Sequence, residues 1–91
     1  MKKKVYVIIS GKVQGVWFRA NTKNKAKELG INGWVKNTED GKVKAIFEGD
    51  EQNIYKILEW CSKGPSNANV SKIEIFNKKY SEEYNDFSII Y

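Results

Sequence analysis

The sequence predicts an α+β fold: a single antiparallel sheet with two helices packed on one face. Three observations predict it. Short β-branched runs recur along the chain, two stretches carry apolar residues at helical spacing, and the elements follow the order strand, helix, strand, strand, helix, strand. At 91 residues the chain has room for one domain with one core, taken as residues 1–91. An apolar fraction of 41% with three Trp suits an ordinary globular core, and leaves only the Lys2 to Lys4 start as a candidate for disorder.

Val5-Tyr6-Val7-Ile8-Ile9 is short, β-branched and bounded by Ser10-Gly11, which predicts a buried strand. Apolar or small residues then recur at Phe18, Thr22, Ala26 and Leu29 with Lys and Asn between them, and Gly30 stands where such a helix would stop. Ile31 to Lys36 reads as a second strand, and Thr38-Glu39-Asp40-Gly41 as a hairpin turn into a third, Lys42 to Glu48. In that strand Val43, Ala45 and Phe47 alternate with Lys42, Lys44 and Ile46, which predicts a more polar outer face. Asp50 is the expected N-cap of a second helix, with Glu51 in its first turn. Ile54, Ile57, Leu58 and Cys61 form its apolar stripe, and Gly64-Pro65 ends it. Val70 to Phe76 is the fourth strand and Phe87 to Tyr91 a short terminal one along a sheet edge. This βαββαβ order is the ferredoxin-like arrangement.

Composition narrows the chemistry. The formal charge of +5 at pH 7 suits a phosphate-bearing partner, but the Lys are scattered, so most of them read as a solvated basic surface. No His is present, which removes the commonest general base and metal ligand, and with one Cys the composition argues against a tetrahedral zinc site. Cys61 cannot form an internal disulfide, which agrees with a reducing compartment, and its place in the helical stripe makes it core. The longest apolar run, Val5 to Ile9, is far too short to cross a bilayer and no signal peptide pattern is evident, so a cytoplasmic location without membrane contact is expected. Arg19 is the only arginine among abundant Lys. Where surface charge alone is needed Lys suffices; a planar fork suits a site that must place two donors on one oxyanion.

The segment from Gly11 to Arg19 joins the first strand to the first helix. Its glycines allow several backbone N–H groups to turn toward one point at the helix entrance, where the helix dipole favours negative charge. Arg19 can add two charge-assisted bonds to the same anion. Asn37, at the end of the second strand, carries an amide whose oxygen can accept from a water while its NH2 donates to a phosphate oxygen. Hairpin turn chemistry is the other reading of an Asn at that place.

These residues carry a resemblance. Gly11 to Arg19, read as G-K-V-Q-G-V-W-F-R, then Gly30-Ile31-Asn32-Gly33-Trp34-Val35-Lys36-Asn37, then Asp40-Gly41 and Glu48-Gly49, resemble the acylphosphatase family. Gly64-Pro65 and the closing Tyr91 are similar too, so the resemblance spans essentially the entire chain. It implies a stand-alone enzyme that hydrolyses acyl phosphates to a carboxylate and inorganic phosphate. Arg19 is then the phosphate ligand, Asn37 the residue that positions the attacking water, and Gln14, Gly15, Val16, Trp17 and Phe18 the source of backbone N–H donors.

With a carboxylate as leaving group and charge on equatorial phosphate oxygens, such a clamp needs no general acid, cofactor or metal. The expected partners are a small acyl phosphate and inorganic phosphate, the latter as product and inhibitor, and the chain is expected to be a monomer. An RNA-binding module is the rival from another class, because ferredoxin-like sheets with basic charge and exposed aromatics are a common RNA platform. The RNP-type run is absent from the third strand, where Ala45-Ile46-Phe47-Glu48 stands, so no nucleic-acid partner is expected. A non-catalytic anion sensor on the same loop is a further alternative. The final strand is also expected to bring the Tyr91 carboxylate to Arg19.

Overall fold

The computed structural model describes all of residues 1–91, with elements β1 (Lys2–Lys12), α1 (Phe18–Glu28), β2 (Asn32–Asn37), β3 (Val43–Asp50), α2 (Glu51–Lys63), β4 (Asn69–Lys78) and β5 (Phe87–Ile89). Their order in the sheet is β4-β1-β3-β2-β5. β1 pairs antiparallel with both β3 and β4, and β2 antiparallel with β3. The βαββαβ arrangement expected from the sequence is therefore present.

Alternation along the strands decides where the core lies. Val5, Val7 and Ile9 of β1 and Val43, Ala45 and Phe47 of β3 point to one face and are fully buried. Phe18, Thr22 and Ala26 of α1 and Ile54, Ile57 and Cys61 of α2 cover them, so each helix buries the stripe that its spacing laid down. The Asp50 side chain caps α2 by accepting from the Gln52 N–H at 3.4 Å.

The structure corrects four expectations. The sheet is mixed and not antiparallel throughout, because β5 runs parallel to β2, with Gly33 opposite Phe87 and Val35 opposite Ile89. Residues 79–86 carry the chain from β4 at one edge of the sheet to β5 at the other. The Lys2 to Lys4 start is ordered, since β1 begins there with Lys2 opposite Asp50. Gly11 belongs to β1 and not to the anion loop: the register against β4 shifts at Ser10/Gly11, where φ is 120° and a methyl group would lie 2.2 Å from the Asn69 carbonyl oxygen. Finally, the outer face of β3 is not polar surface. Ile46 and Glu48 are buried there, and the Glu48 carboxylate accepts from the backbone N–H groups of Glu83 at 3.0 Å and Tyr84 at 3.4 Å. Lys4 joins the same network through Glu83 and Ser81.

Candidate active site

The chain between β1 and α1 is short and held at two points, because Val13 and Val16 are both buried in the core. Between and after them, Gly15 (φ 73°) and Trp17 (φ 64°) adopt left-handed backbone. For Gly this costs nothing, but for a bulky residue such as Trp17 it costs about 1–2 kcal/mol. The result is an unusual set of donors. The N–H groups of Gln14, Gly15, Val16, Trp17 and Phe18 donate to no acceptor in the protein. Five successive donors at a helix entrance are therefore open to an external acceptor, in the place where the helix dipole favours an anion.

The two helix starts make the contrast plain. α2 begins with a capping Asp50 and an acidic Glu51, which satisfy its donors and its dipole. α1 has no side-chain cap and no acidic residue in its first turn, and carries Arg19 there instead. A cation at the positive end of a helix is unfavourable by itself, and an anion between the two reverses the sign. Arg19 forms no ion pair with any carboxylate of the protein. The expectation for Tyr91 is corrected accordingly: its ring, not its carboxylate, meets Arg19, with the guanidinium carbon 5.3 Å from the ring centroid. β5 ends at Ile89 and Tyr91 is 95% exposed, so the last carboxylate is free in solvent.

Gly15, Trp17, Phe18, Arg19, Asn37 and Tyr91 line one cavity of about 360 Å³. The structure thus brings Arg19 and Asn37 together, as the sequence predicts. Gln14 and Val16 do not line it: Val16 packs inward, and the Gln14 side chain turns to the β2–β3 hairpin. Asn37 closes β2 opposite Val43, and its Oδ1 is buried without any protein donor. An amide oxygen in that state is costly unless something else donates to it.

Sequence reasoning missed how these two parts are joined. The Gln14 amide donates from Nε2 to the carbonyls of Thr38 (2.8 Å) and Lys42 (2.9 Å), which ties the loop to the turn that follows Asn37. The turn is itself stiffened by Thr38, whose hydroxyl binds the Asp40 carboxylate and accepts from the Lys42 N–H at 3.0 Å. The Thr38 hydroxyl, aided by Lys42, holds the Asp40 carboxyl below the usual range.

A family model described as acylphosphatase matches residues 5–89. The chain belongs to the acylphosphatase family. It is 43% identical over 91 residues to the acylphosphatase of Syntrophus aciditrophicus (strain SB), an alignment covering 100% of this chain and 95% of the relative. Against the acylphosphatase of Roseiflexus sp. (strain RS-1) the identity is 47% over 88 residues, 97% of this chain and 95% of that one. The crystal structure of acylphosphatase from Bacillus subtilis superimposes with a TM-score of 0.94 at 33% identity, covering 100% of both chains. Two other features bear on the chemistry of this family member. Cys61 is fully buried, and burial pushes its thiol well above the ordinary range, so it is no nucleophile. No three side chains of the His, Cys, Asp or Glu type come together as a metal site.

Proposed function

We propose that this chain hydrolyses acyl phosphates, with Arg19 and the N–H groups of the Gln14 to Phe18 loop clamping the phosphate and Asn37 placing the water. The observation that carries the reading is the set of five unpaired N–H groups beside the guanidinium of Arg19, which no carboxylate of the protein engages. Together they offer more donors than any small neutral ligand needs, and they match the oxygens of a phosphoryl group. The transition state of phosphoryl transfer spreads its charge over those oxygens, so fixed donors stabilise it without reorganising.

Asn37 supports the second half of the proposal. Its buried Oδ1 accepts from a water and its NH2 is left for a phosphate oxygen, which holds the nucleophile in line without deprotonating it. The water oxygen bonds to phosphorus as the bond to the carboxylate oxygen breaks, and the water proton passes to a phosphate oxygen. The carboxylate leaves unprotonated, so no general acid is used and a sequence without His suffices. Inorganic phosphate, the product, competes for the same clamp. The working unit is the single domain of residues 1–91, acting as a cytoplasmic monomer without cofactor or metal.

The test is phosphate release from benzoyl phosphate in excess chelator. Turnover is expected to persist there, and Arg19→Lys to lose at least ~10²-fold in kcat/KM while remaining folded, since a point charge replaces a two-pronged donor. Absence of turnover with intact phosphate binding would identify an anion sensor instead. Activity abolished by chelator and restored by magnesium would refute the mechanism.

A further inference from the structure

We propose that the apolar side of the cavity beside Arg19 is a slot for a flat, uncharged acyl group, with Trp17 and Tyr91 as the residues that select it. The inference rests on the phosphate clamp proposed above and names the substrate class that clamp takes, aromatic acyl phosphates ahead of acetyl phosphate. Two exposed rings carry it. Apolar side chains in water are ordinary when scattered, but Trp17, 76% exposed, and Tyr91, 95% exposed, line one cavity.

Trp17 is held at that place by its backbone. Its neighbours Val16 and Phe18 are both buried, so the indole between them is the side chain left facing out. The Trp17 carbonyl accepts from the Asn21 N–H at 3.0 Å and from the Asn21 side-chain amide at 2.9 Å, which fastens the residue to the first turn of α1. The indole stacks on no other aromatic ring of the protein. The Tyr91 ring, with the guanidinium carbon of Arg19 5.3 Å from its centroid, sits against the group that holds phosphate.

The geometry of displacement then divides the cavity. Attacking water and leaving carboxylate stand roughly in line on opposite sides of phosphorus. Asn37 belongs to the water side, and Arg19 with the loop N–H groups takes the equatorial oxygens. Trp17, Ala20, Ile89 and Tyr91 are left for the acyl group, and all four are apolar or aromatic. Arg19 is the one charged side chain of the lining, so an acyl group with its own carboxylate would contend with phosphate for it. A volume of about 360 Å³ lies near the lower end for small-molecule pockets, which suits a phosphate carrying a single ring.

The experiment compares benzoyl with acetyl phosphate in the whole chain and in two variants. Trp17→Asn removes the indole while keeping a residue that tolerates left-handed backbone, and Ala20→Leu narrows the slot from α1 with a good helix former. Each should lower the ratio of kcat/KM for benzoyl over acetyl phosphate about three- to tenfold, the worth of one aromatic contact. Any disturbance of the clamp is common to both substrates and cancels in the ratio. The change should fall on KM more than on kcat, because the walls touch the acyl group before and during the reaction alike. A binding readout stands beside the kinetics: in calorimetry the unreactive phenacylphosphonate should bind more tightly than acetonylphosphonate, and Trp17→Asn should narrow the gap. Turnover of both substrates with the ratio within about twofold of the parent in both variants would overturn the slot and leave the hydrolase reading standing. Equal affinity for the two phosphonates would overturn it as well. Turnover of neither substrate, with neither phosphonate bound, would remove both the slot and the clamp it rests on.

Discussion

Gln14→Leu separates the two halves of the site without touching either. The side chain keeps its volume but loses the Nε2 donor that now serves Thr38 and Lys42 at 2.8 and 2.9 Å. Neither carbonyl is orphaned, because the Thr38 oxygen still accepts from Gly41 at 3.3 Å and the Lys42 oxygen from Thr38 at 2.9 Å. The loss is therefore two hydrogen bonds at about 0.5–1.5 kcal/mol each, with no added desolvation penalty. Stability should fall by about 1–3 kcal/mol, read from urea unfolding. The effect on catalysis follows from where the groups sit. Arg19 rides on α1 and Asn37 on β2, and Gln14 is the direct side-chain link between their loops. Without it the water and the phosphate are no longer held at a fixed separation, and displacements near 1 Å cost about 10²-fold. We expect kcat/KM for benzoyl phosphate to drop between about fivefold and hundredfold at a temperature where the variant is fully folded. If stability falls as stated but kcat/KM stays within about twofold of the parent chain, the link supports the fold alone and the coupling argument is wrong.

Asn37→Ala should reduce turnover by about 10²-fold with near-normal inhibition by inorganic phosphate, because the amide places water more than it holds the anion; lost phosphate affinity with normal saturated turnover would reverse the role. Cys61→Ala should cost about 1 kcal/mol through the cavity it leaves, with catalysis unchanged. The same residue sets a pH limit. Burial raises its thiol above the ordinary 9.0, so the unfolded chain gives up that proton first. Its contribution to stability is complete below pH 9 and declines above it by up to ~1.4 kcal/mol per pH unit, a slope that Cys61→Ala should lack in urea titrations between pH 8 and 10.

Much of the fold was legible because its signals are local. The Ile54, Ile57, Leu58 and Cys61 stripe, the Asp50 cap and the Val5 to Ile9 run each declare themselves within a few residues, and they lie in α2, at its start and in the middle of the longer β1. What escaped depends on partners distant in the chain. Glu48 and Ile46 look like surface until residues 81–84 cross over them, and nothing near β3 announces that crossing. Gly11 looks like a loop glycine because the backbone that crowds it, at Asn69 and Ser71, is nearly sixty residues on. Within the site Arg19 and Asn37 were legible as singular residue types at the ends of elements. The Gln14 side chain was not, since a lone amide gives no hint of which carbonyls it will meet. The Tyr91 contact was located correctly and assigned to the wrong group, because the short β5 leaves the final residue to present its ring.

If the uncapped start of α1 holds phosphate as proposed, folding itself responds to the product. A chain whose first helix lacks a side-chain cap and bears Arg19 in its first turn folds with an unfavourable end, which a phosphate in the proposed clamp would complete. Because the unfolded chain has no such clamp, free phosphate enters the folding equilibrium by mass action, adding about 1.4 kcal/mol for each tenfold rise above its dissociation constant. On that proposal the molecule is most resistant to unfolding where phosphate is plentiful, and its stability in dilute solution depends partly on a small ion that its own reaction releases.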